Sequence, residues 1–287
     1  ATEVFGAPNP VTEPVLIRFL MEQGVNFDPG TGYNYSNVGY LVLGQIIEAV
    51  TGLRYETYVQ SEILSPIGVC DMQLGTNLLA DKSEREAEYT SGGSTQLSLY
   101  GDGTTVPIEY GGRSIEAMSA HGGWIATPRD LTRLLSAVDD FPSKPDILTS
   151  ESLATMTTGS ANNSAQGLGW FLSGGDWWHN GLLYGSSGAM RRTAGEYNWA
   201  FLMNSQSFDG DYFTDLRENE VLVNDAFARH HGLEPGQWIH LLLNNRRQEL
   251  FIVGTAISSE FVYLLGPGAI VPDPENFGVF YVKQSYA

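Results

Sequence analysis

Lysine is nearly missing from this chain: Lys82, Lys144 and Lys283 are the only three in 287 residues. With 15 Lys and Arg against 33 Asp and Glu, the formal net charge is -18. Such a surface offers no basic face to phosphate, which excludes nucleic acid and anionic membrane surfaces as partners. It also keeps the chain soluble and self-repelling. Cysteine is scarcer still. Cys70 stands alone, so no intrachain disulfide can form and redox chemistry does not reveal the compartment. In the run Gly-Val-Cys-Asp, Cys70 reads as a small buried hydrophobe. Long apolar runs are absent as well. Those near Leu41–Val50 and Leu250–Pro272 are broken by Glu48 and by Ser258, Ser259 and Glu260, so no membrane span is expected. No segment reads as a signal peptide. His230, His231 and His240 are joined by no ladder of Cys or Asp and read as surface groups. Neither a metal nor another cofactor is expected.

What is present suffices for a core: 42% of residues are hydrophobic and 11% aromatic. The organising stretch runs from Phe27 to Gly52. Pro29, Gly30 and Gly32 mark a tight turn, and Ser36 or Asn37 can cap a helix. Val38, Leu41, Val42, Ile46, Ala49 and Val50 recur at helical spacing, with Leu43 and Ile47 on the other face. This pattern predicts a helix buried nearly all round and stopped by Gly52. A rigid helix opening on Tyr35-Ser36-Asn37 can hold a phenol and a carboxamide at its rim as a catalytic pair. A capped core helix with a chance tyrosine is the plain alternative.

The remaining chain reads as helices followed by strands. Helices are expected over Val15–Gln23 after Thr12, over Tyr55–Leu64, and from the Thr127-Pro128-Arg129-Asp130 start onward. Another short one is expected over Thr149–Met156. Residues 75–112 read as a long loop region walling a cleft. Gly167–Ser173, Trp177–Tyr184, Ala189–Thr193 and Asn198–Asn204 are short, aromatic-rich and separated by turns, as antiparallel strands are. A polar bridge follows near residues 208–220, then a helix over Asn224–His231 and a hairpin from Trp238–Leu243 to Glu249–Ile257. The fold class is therefore α+β, an antiparallel sheet flanked by helices, with domains 1–210 and 211–287, the second small and β-rich.

The second polar triplet is His179-Asn180-Gly181. Gly181 lets a ligand approach a strand edge closely, and an unpaired Leu182 N–H there can face a developing oxyanion. A lone His between Trp and Asn also serves as a hydrogen-bonded structural group.

Taken in order, Tyr35-Ser36-Asn37, Gly122-Gly123-Trp124-Ile125-Ala126-Thr127-Pro128-Arg129-Asp130 and His179-Asn180-Gly181 resemble the serine β-lactamase and penicillin-binding-protein superfamily. The resemblance covers about residues 10–205 and points to the branch of class C β-lactamases and related esterases. It implies that Tyr35, Asn37 and His179 are catalytic. It further implies that Asn180, Gly181, Leu182, Ser187 and His121 bind substrate, with the Leu182 N–H as oxyanion donor. The chain departs from the family in lacking Ser-x-x-Lys. The residues three before Lys82, Lys144 and Lys283 are Leu79, Phe141 and Phe280. No Gly-x-Ser-x-Gly elbow replaces the lost serine. Ser119, Ser186 and Ser187 are the serines nearest the motifs and read first as turn or strand-end residues.

Glu220–Gly236 and Val253–Asp273 resemble part of the extracytoplasmic domain of FtsX/MacB-type permeases, which implies a small domain without catalysis. The join fits a natural fusion, a truncated product and an engineered chimera alike. The expected function is hydrolysis of a small-molecule carboxylic ester or amide, through an unexpected serine or through water activated by Tyr35 or His179. The alternative is a non-catalytic scaffold or binding module. Without the nucleophile-bearing region, the faces of the Val38–Val50 helix need another cover. A homo-oligomer, or docking of residues 221–287, is expected. The resemblance favours an extracytoplasmic location.

Overall fold

The computed structural model describes residues 5–205, 220–243, 246–256 and 280–282. Helix α1 covers Glu13–Met21, with Thr12 in the extended cap position and Pro14 in the first turn. Helix α2 covers Asn37–Thr51. Ser36 Oγ accepts the Gly39 N–H at 3.1 Å, satisfying one free donor at the helix start. Gly52, at φ 73°, takes the left-handed conformation that ends the helix and returns its N–H to the Glu48 carbonyl.

The burial expected of α2 is overturned. Leu41 and Gly44 are buried, but Leu43, Ile46 and Val50 are 51%, 49% and 80% exposed. The helix packs on α1 and on the short helix α3, Tyr55–Tyr58. No described residue, those of the tail included, covers its remaining apolar face. At Gly44 a side chain would stand 2.7 Å from Ala120 Cβ, so glycine is what lets the 118–124 segment approach the helix. The helix expected over Tyr55–Leu64 is broken. After α3 the chain widens into a π turn, Val59–Leu64, and tightens to a 3₁₀ turn, Ser65–Ile67, before Gly68. Cys70 is exposed, not buried; Leu64, Val69 and Met72 fill that small core instead.

Residues 75–112 are more ordered than a loop. Strand β1 (Gln73–Leu74) pairs with β4 (Trp124–Ile125), and β2 (Thr95–Leu97) forms a hairpin with β3 (Thr105–Pro107). Helix α4, Pro128–Leu135, opens on a capping box. Thr127 Oγ1 accepts from the Asp130 N–H while Asp130 Oδ2 accepts from the Thr127 N–H at 3.0 Å. Helix α5 is Ser150–Met156.

The four expected strands form one antiparallel sheet in chain order: β5 (Phe171–Ser173), β6 (Asp176–Leu183), β7 (Ser186–Arg192) and β8 (Asn198–Met203). Tyr184 and Gly185, the latter at φ 80°, make the two-residue turn between β6 and β7. Helix α4 lies against β7 and β8. The core between them joins Leu135, Val138 and Leu153 to Trp170 and Trp177.

A second sheet has the order β10-β11-β9-β12. Its strands are β9 (Glu220–Asn224), β10 (Trp238–Leu243), β11 (Arg246–Ala256) and β12 (Phe280–Val282), with α6 (Asp225–His231) after β9. The hairpin was expected, but β9 was not. It runs parallel to β11, with Val221 and Val223 buried against Leu250 and Ile252. The boundary expected near residue 210 falls outside the described residues.

Candidate active site

Tyr35 precedes the α2 cap, and Asn37 is the first residue of the helix. Trp177 and His179, two apart on β6, share one face of the sheet. Trp177 is packed in the core while His179 stands farther along, opposite Met190 of β7. Between the start of α2, the 118–124 segment, α4 and strands β6–β8 lies a cleft of about 650 Å³. Tyr35, Asn37, His179, Asn180, Gly181, Leu182, Ser187 and His121 all line it, so the sequence-derived set converges on one space. The 75–112 region does not wall this cleft. It borders an adjoining cavity of about 80 Å³, which shares Gly122, Trp124, Leu183 and Ser186 with the cleft and is lined also by Lys82, Glu86, Tyr89 and Arg113.

Phe171 of β5 joins the two halves of the site. Its ring stacks on Tyr35 (centroids 6.2 Å apart) and on His179 (5.2 Å), while Tyr35 and His179 are themselves 6.3 Å apart. Sequence reasoning identified the strand but not this role, because the pairing of Phe171 with Trp178 is a matter of register. Tyr40, Met118, Trp124, Leu131 and Leu202 also line the cleft and were not singled out.

His179 Nδ1 lies 2.6 Å from the Asn180 carbonyl oxygen. A carbonyl only accepts, so Nδ1 carries the proton and Nε2 keeps its lone pair. Burial pushes the His179 pKa below its ordinary value, against the opposing effect of that hydrogen bond. The ring is therefore neutral at pH 7 and basic at Nε2. Burial, with Tyr40 and Tyr33 nearby, raises the Tyr35 pKa, so its phenol stays protonated and is able to donate. His121 is likewise lowered by burial, with Glu13 opposing, and its Nδ1 is buried without a partner.

The other expected residues are placed as follows. With Leu183 and Ser186 closing the two-residue turn, Leu182 opposite Ser187 falls at a non-hydrogen-bonded position of the ladder. Its N–H therefore turns from β7 toward the edge of β6 that β5, which begins opposite Trp178, leaves open. A side chain at Gly181 would meet nothing within 4 Å, so the face of β6 that it shares with His179 is open there. Ser187 is 2% exposed and its hydroxyl donates to the Ser205 carbonyl at 3.0 Å, so it is tied into the strand. Ser119 is buried, and its N–H bonds Glu13 Oε1. Among the described residues no serine hydroxyl is hydrogen-bonded to Tyr35 or His179, and no group of three side chains is placed to hold a metal. His230 and His231 are exposed on α6.

The chain is similar over 171 residues, at 26% identity, to the Escherichia coli K12 protein named "Putative D-alanyl-D-alanine carboxypeptidase", covering 55% of this chain and 39% of that protein. It is 26% identical over 165 residues to Penicillin-binding protein 4* of Bacillus subtilis, again covering 55% of this chain and 35% of the relative. The chain thus spans about two fifths of the length of these curated relatives. The crystal structure of the D-amino acid amidase from Ochrobactrum anthropi SV3 with D-phenylalanine shares the fold at a TM-score of 0.52 and 24% identity, over 71% of this chain and 65% of that one. The family model described as Beta-lactamase matches residues 3–224, and the chain belongs to the Beta-lactamase family.

Proposed function

We propose that the chain hydrolyses small carboxylic esters or amides with water as the nucleophile. The observation that carries this reading is His179, neutral, with Nδ1–H fixed on Asn180 and Nε2 unpaired beside Tyr35 at the cleft. Nε2 takes a proton from water as its oxygen attacks the carbonyl carbon. The Tyr35 hydroxyl and the Leu182 N–H donate to the resulting oxyanion, and Asn37 orients the substrate. Collapse breaks the bond to the alcohol or amine, which leaves with the proton held by His179. Asn180, Gly181, Ser187 and His121 shape the wall that the substrate meets.

The test is turnover of p-nitrophenyl butyrate by the wild type and by Tyr35→Phe. Loss of one oxyanion donor lowers kcat by roughly 10²-fold or more. An unchanged kcat removes Tyr35 from the reaction.

A second reading is favoured by one observation: among the described residues no serine hydroxyl is hydrogen-bonded to Tyr35 or His179. In it the fold persists as a scaffold or binding module without turnover. Under both readings the unit beyond residue 210 is non-catalytic and similar to a permease fragment.

A further inference from the structure

We infer that the cleft selects uncharged substrates with an apolar acyl group and rejects those ending in a carboxylate; this rests on the hydrolase reading above. Among the described residues, no Lys, Arg, Asp or Glu lines the 650 Å³ space. Its walls are apolar or aromatic, from Met118, Trp124, Leu131, Phe171, Met190 and Leu202. Its polar groups are hydroxyls, amides, backbone and two imidazoles. Both imidazoles are neutral at pH 7, since burial lowers His121 and His179 alike. A carboxylate entering this space loses water and gains no cation in return.

The nearby cations are committed elsewhere. Arg113 lies 4.6 Å over the Tyr184 ring and Lys82 Nζ donates to the Glu86 carbonyl at 2.6 Å, both at the smaller cavity. Arg191 binds Asp176, and Arg192 bonds the Asp139 carbonyl at 2.9 Å while lying over Trp177. The net charge of -18 adds a field that repels anions during approach. A carboxypeptidase takes peptides with a free carboxylate end. The relative bearing that name is matched over 39% of its length only, and this cleft is built for a different end group.

The experiment compares two esters of equal chain length, p-nitrophenyl valerate and mono-p-nitrophenyl glutarate, which differ by a terminal carboxylate. The expected kcat/KM is at least ~10-fold higher for the valerate, with the preference partly reduced as salt screens the field. Equal rates, or a faster glutarate, overturn the inference while leaving the hydrolase reading intact. If neither ester is turned over, that reading fails and binding decides the inference. Quenching of tryptophan fluorescence then compares phenylacetamide with phenylacetate. An amide bound at least ~10-fold tighter supports the neutral cleft; equal binding, tighter acid binding or no binding of either overturns it. Leu131→Arg places a cation on the wall, outside the catalytic groups, and is expected to move the valerate-to-glutarate ratio at least ~10-fold toward the glutarate.

Discussion

The protonation state of His179 is the point at which the account is most open to measurement. The proposed reaction needs Nε2 unprotonated. Burial lowers the pKa of the ring and the 2.6 Å hydrogen bond to Asn180 restores only part of it. With a folded pKa below the usual ~6.5, more than about three quarters of the rings are neutral at pH 7. The value of kcat/KM should therefore be flat above pH ~7 and fall tenfold per unit of pH below a midpoint under ~6.5. Replacing His179 by Gln keeps a polar group but no base. It should cost at least ~100-fold in turnover, about 2.7 kcal/mol, and erase that limb of the profile. His121 is lowered for the same reason and is separated by His121→Gln, which should leave the midpoint in place. Stability follows the same ionisation. A histidine held neutral by burial adds stability that is present above the unfolded pKa near 6.5 and is lost as pH falls toward the folded value. Urea melts at pH 7.5 and 5.5, above the carboxylate range, should show the wild type losing more stability than His179→Gln. A kinetic midpoint at or above 6.5, or a profile unaltered in His179→Gln, would refute the assignment.

Three further outcomes are expected. Leu135→Ala removes a fully buried side chain from the cluster with Trp170 and Trp177, and should lower the unfolding free energy by about 2 to 5 kcal/mol in urea followed by tryptophan fluorescence; a loss below ~1 kcal/mol would contradict that packing. Gly44→Ala forces a methyl group to 2.7 Å from Ala120 Cβ and should cost about 1 to 3 kcal/mol in the same assay; a neutral result would mean the 118–124 segment yields freely. The exposed Leu43, Ile46 and Val50 face of α2 is proposed to pack on a second copy, so sedimentation should find a dimer that Leu43→Glu with Val50→Glu shifts to monomer; a wild-type monomer would sink that proposal.

The sequence made some of this legible and hid the rest for definable reasons. Helix α2 was readable because its limits are local, a hydroxyl cap at Ser36 and a left-handed glycine at Gly52. Its exposure was not, since burial depends on what packs against a helix and not on its own apolar pattern. The β5–β8 sheet was readable from short aromatic segments with turns between them. Strand β9 was missed because its parallel partner β11 begins more than twenty residues later and no turn links the two. At the site, Tyr35, Asn37 and His179 line one cleft. Phe171 between two of its rings was hidden by strand register, and the proton on His179 Nδ1 by a carbonyl contact that only coordinates reveal.

The central claim is hydrolysis without a covalent intermediate. It is tested most directly by intact-mass spectrometry after incubation with a fluorophosphonate, run beside turnover of p-nitrophenyl butyrate. The account predicts turnover with the mass unchanged. A stoichiometric adduct that maps to one serine, or no turnover at all, would contradict it.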